Sequence, residues 1–260
     1  MDPRDRVVTL FGGGGFLGRY SAQALFRTGA RVRIAERDPR RAYFLKPLAA
    51  VGQVQFVAVD ISDPKAVGEA VRGSDSVVNL IGILKGDFDA IHVAGARNVA
   101  EAAAAAGASA LVHVSAIGAD PDSESAYGRS KGEGEAAVRA AFPGATILRP
   151  SILFGREDNF INRFAAMARL APALPVISGS TKFQPVYAAD AGRAVAAAAL
   201  DPGRHGGRTY ELGGPQVLSM RELMAWVCEA TGRGRPLIDI PDPVGRLIAR
   251  TTGWLPGAPI

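Results

Sequence analysis

Apolar residues in the first two thirds of the chain come in short, nearly continuous runs, each followed by a stretch with helical spacing. The runs are Val7–Phe11, Arg31–Ala35, Val54–Val59, Ser76–Ile81, Ala110–Ser115 and Ala145–Leu148. The helical stretches lie near 16–28, 40–50, 63–72, 88–106 and 124–141. Strands that read as unbroken apolar runs are buried on both faces, as in a parallel sheet with helices on each side. Right-handed crossovers wind such a chain into an α/β fold, a Rossmann-type doubly wound parallel sheet with ligands at the carboxyl ends of its strands. After Pro150 the alternation loosens. Pro172, Pro175, Pro185, Pro202, Pro215, Pro236, Pro241 and Pro243 punctuate short segments, which predicts a smaller C-terminal subdomain. The expected organisation is a dinucleotide-binding domain over 1–150 and a smaller substrate or partner subdomain over 151–260, with segments returning to the sheet.

Composition narrows the class. Of 260 residues, 48% are hydrophobic and 21% charged, as in a soluble globular chain with material for a core. No run of about 18 apolar residues would span a membrane. The charged start, Met1–Arg6, leads directly into the first strand and predicts no signal peptide. Apolar residues still arrive at Trp254–Ile260, as in a chain cut short. Cys228 stands alone, which points to a reducing, cytoplasmic setting. His92, His113 and His205 lack partners at metal-ligand spacing, so no metal site is expected. The net charge of +5 comes from scattered arginines and supports no nucleic-acid partner.

The first candidate chemistry is a glycine turn, Gly12-Gly13-Gly14-Gly15-Phe16-Leu17-Gly18, placed between the first strand and the first helix. Gly12 permits the turn, Gly15 lets backbone N–H groups approach a pyrophosphate, and Gly18 lets the helix pack close to the sheet. The helix beginning at Phe16 and Leu17 points its positive end at the anion. The end of the second strand reads Glu36-Arg37-Asp38-Pro39. Glu36 is near the position where a carboxylate accepts the adenosine ribose hydroxyls, which favours NAD(H). Arg37, with Arg40 and Arg41 behind it, attracts a 2′-phosphate, and the balance is read as favouring NADP(H). Asp60 and Ile61 follow the third strand, where a carboxylate can face the adenine amino group and an apolar side chain the ring. Asp60, Ser62 and Asp63 also precede Pro64 and can cap the next helix. Asn79, Ile81 and Gly82 close the fourth strand, where backbone passes beneath the adenosine ribose and phosphates.

Tyr127 and Lys131 form Y-x-x-x-K, one face of a helix. A neighbouring ammonium is expected to lower the phenol pKa toward neutrality, so that the tyrosine exchanges a proton while the lysine holds the nicotinamide ribose. Ser115 ends the fifth strand as the third candidate catalytic residue, but the following position is Ala116, not a second hydroxyl. Pro150 and Ser151 end the sixth strand beside the expected nicotinamide. Arg156, Glu157 and Asp158 read as an ion-paired corner, and Asp190 as a helix N-cap.

Together these residues resemble the atypical and extended branches of the short-chain dehydrogenase/reductase superfamily, whose glycine turn follows the same G-x-x-G-x-x-G spacing. They are most similar to the NAD(P)H-binding accessory-subunit family of respiratory complex I and its bacterial relatives. The likeness rests on Asn79-Leu80-Ile81-Gly82, His113-Val114-Ser115, Tyr127 with Lys131, the run Arg149–Phe160, and Gln184-Pro185-Val186-Tyr187 leading to Asp190. It implies a bound NADPH more readily than NADH, a nucleotide-holding or assembly role, and contact with respiratory-complex subunits. It further implies peripheral association at the cytoplasmic face of the inner membrane. The intact Tyr127–Lys131 pair keeps an alternative open: an oxidoreductase or epimerase acting on a sugar nucleotide or a ubiquinone-biosynthesis intermediate. Whether the chain is an enzyme stays open at this point.

Overall fold

The computed structural model describes residues 2–241, so Pro243 and Trp254–Ile260 lie outside the described residues. The chain begins as β1 (Val7–Phe11), α1 (Phe16–Thr28), β2 (Arg31–Glu36), β3 (Val54–Ala58), α2 (Pro64–Val71) and β4 (Ser76–Asn79). It continues through α3 (Ala96–Ala105), β5 (Ala110–Val114), α4 (Ala126–Ala141) and β6 (Thr146–Pro150). Then come β7 (Leu153–Phe154), α5 (Ile161–Leu170), β8 (Leu174–Ile177), β9 (Lys182–Phe183), β10 (Val186–Tyr187) and α6 (Ala188–Leu200). The last described elements are α7 (Pro202–His205), β11 (Thr209–Leu212), β12 (Leu218–Ser219), α8 (Met220–Ala230) and β13 (Leu237–Ile240).

Seven strands form one parallel sheet in the order β11-β6-β5-β4-β1-β2-β3. From β1 the chain winds outward through β2 and β3, then returns to β4 on the other side of β1. The connections after β1 and β4 therefore diverge, leaving a crevice at the carboxyl ends of these two strands. Alternate residues of each strand feed opposite faces. Leu10, Ile34 and Val112 pack with Leu25 and Phe26 of α1, Leu45, and Val195 of α6. Phe11, Val77, Leu111 and Ile147 pack with Val67 and Val71 of α2, Val99 of α3 and Val138 of α4. Each such side chain contributes about 1.5–3 kcal/mol when fully buried. The doubly wound sheet read from the apolar runs is the fold observed.

Several local expectations are corrected. The 40–50 stretch forms 3-10 turns over Pro39–Leu48, not an α-helix, and Pro47, with no N–H to donate, removes a bond from the last turn. The 88–106 stretch is two structures, π-helical turns over Asp89–Gly95 running into α3. Sequence reading found six strands and missed β11, whose four residues, Thr209–Leu212, form the edge of the sheet beside β6. So short a run carries little periodicity. Asp190 is not an N-cap: α6 starts after Tyr187, and Asp190 sits inside its first turn, 2.6 Å from Arg193.

The described residues divide into two compact units, 2–153 with Val186–Leu212, and Phe154–Pro185 with 213–241. The second unit has its own core of Ile161, Val176, Leu223, Met224 and Val227, with Cys228 buried against Ala168 and Leu174. Its α8 is opened by a capping box in which Ser219 and Glu222 satisfy each other's backbone amides. Among the described residues no helix is long and apolar enough to cross a membrane, and no cluster of His, Cys, Asp or Glu could hold a metal ion.

Candidate functional site

The glycine turn leaves β1 through Gly12, at φ +80°, a left-handed conformation that a side chain disfavours. Gly18 is excluded from carrying a side chain by space: a Cβ there would stand 2.1 Å from the Gly12 carbonyl oxygen and 2.7 Å from Gly13. Gly15 is the N-cap of α1 and makes no side-chain cap, and the first turn carries no acidic residue. The leading amides of α1 at Phe16, Leu17 and Gly18 therefore have no side-chain cap at the positive end of the helix dipole. Ile81 and Leu80 lie across Gly12, 3.2 and 3.4 Å from the position of its absent Cβ.

At the end of β2, the Glu36 carboxylate accepts the Gly14 N–H at 2.6 Å. Burial pushes its pKa up, against the pull of that amide and of Arg41 and Arg37. Arg37 is exposed. Arg40 belongs less to any phosphate group than the sequence reading had it, because its guanidinium holds Asp38 at 2.8 Å. Asp60 accepts both the N–H and the hydroxyl of Ser62, at 2.9 and 2.7 Å, and these bonds lower its pKa. The helix cap is its neighbour Asp63, bonded to the amides of Lys65 and Ala66. Ile61 is buried, its side chain 2.9 Å from where a Gly95 Cβ would stand.

A buried polar cluster occupies the ends of β4 and β5 under the start of α4. Asn79 accepts the Ile81 N–H at 3.0 Å and approaches His113 Nδ1 at 3.3 Å with its amide nitrogen. His113 Nε2 and the Ser115 hydroxyl are buried with no partner within the protein. Lys131, only 3% exposed, donates to the Val114 carbonyl at 2.9 Å. Burial lowers its pKa to about 8, with Glu135 opposing. A Gly82 Cβ would stand 3.9 Å from Lys131 Nζ and 3.8 Å from His92 Nε2. The Tyr127 phenol departs from expectation. Burial pushes its pKa up, not down toward neutrality, while the Lys131 ammonium hydrogen-bonds to β5.

Sequence reading missed the supports of this cluster. His92 and Ser130 hydrogen-bond behind Tyr127. Gly132 and Gly134 admit neighbouring backbone, since their Cβ atoms would stand 2.4 Å from the Asp120 carbonyl carbon and 2.2 Å from the His92 carbonyl oxygen. Two glycines within a helical run were the available signal. Glu135 of α4 binds Arg149 of β6 through two parallel bonds of 2.9 and 2.8 Å, a planar pairing that fixes helix to sheet. Pro150 is buried and accepts the Ile117 N–H at 3.2 Å, and Ser151 donates its N–H to Leu212 at 2.9 Å. Asp158, expected in an ion-paired corner, instead places its carboxylate on the backbone amides of Gly155, Phe160 and Asn162.

Comparison with known proteins follows the same lines. The profile of the NAD dependent epimerase/dehydratase family matches residues 8–213. NADH dehydrogenase (ubiquinone) 1 alpha subcomplex subunit 9, mitochondrial, from Mus musculus is 38% identical over 234 residues, 87% of this chain. The chain spans only 62% of that relative's length. A protein of Caulobacter vibrioides named ceramide reductase is 32% identical over 249 residues, covering 91% of this chain and 74% of its own. The crystal structure of UDP-glucose-4-epimerase from Stenotrophomonas maltophila, with bound NAD and formylated UDP-arabinopyranose, matches with a TM-score of 0.78 at 19% identity. It covers 96% of this chain and 93% of the epimerase, a likeness of fold.

Proposed function

Because the chain belongs to the NAD dependent epimerase/dehydratase family, we propose that it holds NADP(H) as a nucleotide-binding accessory component of the complex I type. In this reading it sits peripherally at the cytoplasmic face of the inner membrane, against respiratory-complex subunits. The observation that carries the nucleotide is the glycine turn. Gly12 has a left-handed φ, Gly18 has no room for a Cβ, and the uncapped N-terminus of α1 has no carboxylate in its first turn. A pyrophosphate supplies negative charge and acceptor oxygens at the N-terminus of α1, where no side chain caps the helix. The partnerless buried Ser115 hydroxyl is a second feature that fits a bound group.

A bound nicotinamide would supply or accept a hydride. The roles of this chain's residues follow from their chemistry. Glu36, tied to Gly14, has its charge partly satisfied and faces the Arg37 and Arg41 guanidinium groups. This leaves Arg37 to pair with a 2′-phosphate. Asp60 and Ile61 flank the adenine end, and Asn79, Ile81 and Gly82 pass under the phosphates. Lys131 keeps donors beyond its bond to Val114 for the nicotinamide ribose, and Tyr127, Pro150 and Ser151 border the ring. Ala116 offers no hydroxyl to orient a substrate carbonyl, which favours holding over turnover, as does the 38% identity to a complex I subunit.

The intact Tyr127–Lys131 pair favours the second reading, an oxidoreductase or epimerase acting on a sugar nucleotide or a ubiquinone-biosynthesis intermediate. Identification of the nucleotide that co-purifies, followed by fluorescence titration with NADPH and NADH, tests the first reading. Tighter binding of NADPH without consumption in a substrate screen supports it. Turnover that Tyr127→Phe abolishes would hand the case to the enzyme.

A further inference from the structure

His92 is only 2% exposed and lies in the π-helical turns before α3. Its Nε2 accepts the Ile83 N–H at 3.0 Å. An amide can only donate, so Nε2 carries the lone pair and the proton is on Nδ1. That Nδ1 lies 2.9 Å from the Ser130 hydroxyl, which in turn donates to the Tyr127 carbonyl at 2.9 Å. The imidazole stacks on Phe88 at 5.2 Å and meets the Tyr127 ring edge-on at 5.6 Å. One ring thus joins the segment after β4, the π-turn and the first turn of α4.

We propose that His92, as the neutral Nδ1–H tautomer, is a positioning residue that clamps the Tyr127–Lys131 turn to Ile83 and so sets the nicotinamide-ribose seat. The proposal rests on the nucleotide reading above. Three features agree with it. Burial and the nearby Lys131 ammonium hold the His92 pKa down to about 4, so the ring stays neutral near pH 7. Gly82 separates His92 Nε2 from Lys131 Nζ, within 4 Å of each when its Cβ is built. The bare Gly134 lets α4 press on the His92 carbonyl, so the clamp has no slack. The buried His113 has the opposite pattern, with Nδ1 facing the Asn79 amide nitrogen, and its Nε2 carries the proton.

Two measurements on the full chain test the clamp. Nitrogen-15 NMR of the histidine rings should show one Nδ1–H tautomer, assigned by its loss in His92→Asn and unchanged from pH 8 to about 5.5. An Nε2–H tautomer, or a ring that titrates in that range, overturns the proposal. His92→Phe keeps the ring stack but loses both hydrogen bonds. It should fold, weaken NADPH about tenfold, as expected for lost buried hydrogen bonds, and shift the Tyr127 phenol titration. His92→Phe that binds NADPH and titrates Tyr127 like wild type would leave His92 a packing residue and sink the clamp. If wild type binds no NADPH, the nucleotide reading fails instead, while ring tautomer and phenol titration still decide whether the clamp exists.

Discussion

The glycine turn and the Tyr127–Lys131 cluster lie at the carboxyl ends of nearby strands, β1 for the first and β4 and β5 for the second, yet they are built from different material. The turn is almost entirely backbone: a left-handed φ at Gly12, a crossing with no space at Gly18, and amides left open by an uncapped helix. The cluster is almost entirely buried side chain: Asn79, His92, His113, Ser115, Ser130 and Lys131 are each under 5% exposed. A backbone site fails when a side chain is added where backbone crosses backbone, as at Gly18, and the failure reaches the fold. A site of buried polar side chains can lose one member and keep its fold, because removing a buried ionisable group also removes its desolvation cost.

Gly18→Ala should separate the two regions most sharply. Its Cβ would fall 2.1 Å from a carbonyl oxygen, so denaturant melts should show about 1–3 kcal/mol lost, and nucleotide titration should show binding lost with it. Lys131→Met should give the reverse pattern. The melt should hold or rise, since an ammonium 3% exposed is replaced by an apolar chain of similar length. NADPH affinity should meanwhile fall about 10–100-fold through the lost charged donor. Equal losses of stability in both variants would erase the distinction.

The same contrast can be sharpened by pH. Lys131 has its pKa lowered from 10.5 to about 8 by burial. Between about pH 8 and 10.5 the folded protein binds fewer protons than the unfolded chain, so this group makes stability rise with pH there and contributes no slope below. Binding moves the other way: at pH 9 about a tenth of Lys131 is protonated, and NADPH affinity measured at pH 9 should be about tenfold weaker than at pH 7. Arg37→Ala should cost NADPH about tenfold and leave NADH unchanged, which paired titrations of the two cofactors read directly. The smallest effect is expected from Tyr127→Phe. NADPH affinity should stay within about twofold, while any turnover present should drop 10²–10⁴-fold, as for loss of a general acid–base group.

The turn was legible because its requirements are local. Gly12, Gly15 and Gly18 declare themselves by residue type and by the strand and helix beside them. The cluster was legible only in part. Tyr127 and Lys131 show as an i, i+4 pair, but His92 is 35 positions before Tyr127, and only the packing of the π-turn on α4 brings them together. The direction of the Tyr127 shift was misread for the same reason. Spacing shows that a lysine is near, whereas burial, and the choice of the Val114 carbonyl by that lysine, depend on what covers the pair.

The order of apolar runs and helical stretches alone determined a parallel doubly wound sheet, because burial on both faces leaves its mark at every strand position. It also determined where the glycine turn would fall, since the backbone freedom of glycine is a property of the residue itself. Tertiary structure alone decided that β11 completes the sheet, that Asp158 holds backbone amides, that Glu135 grips Arg149, and that His92 stands behind Tyr127. Each of these depends on groups distant in sequence or on burial, and neither is written in any local pattern of residues.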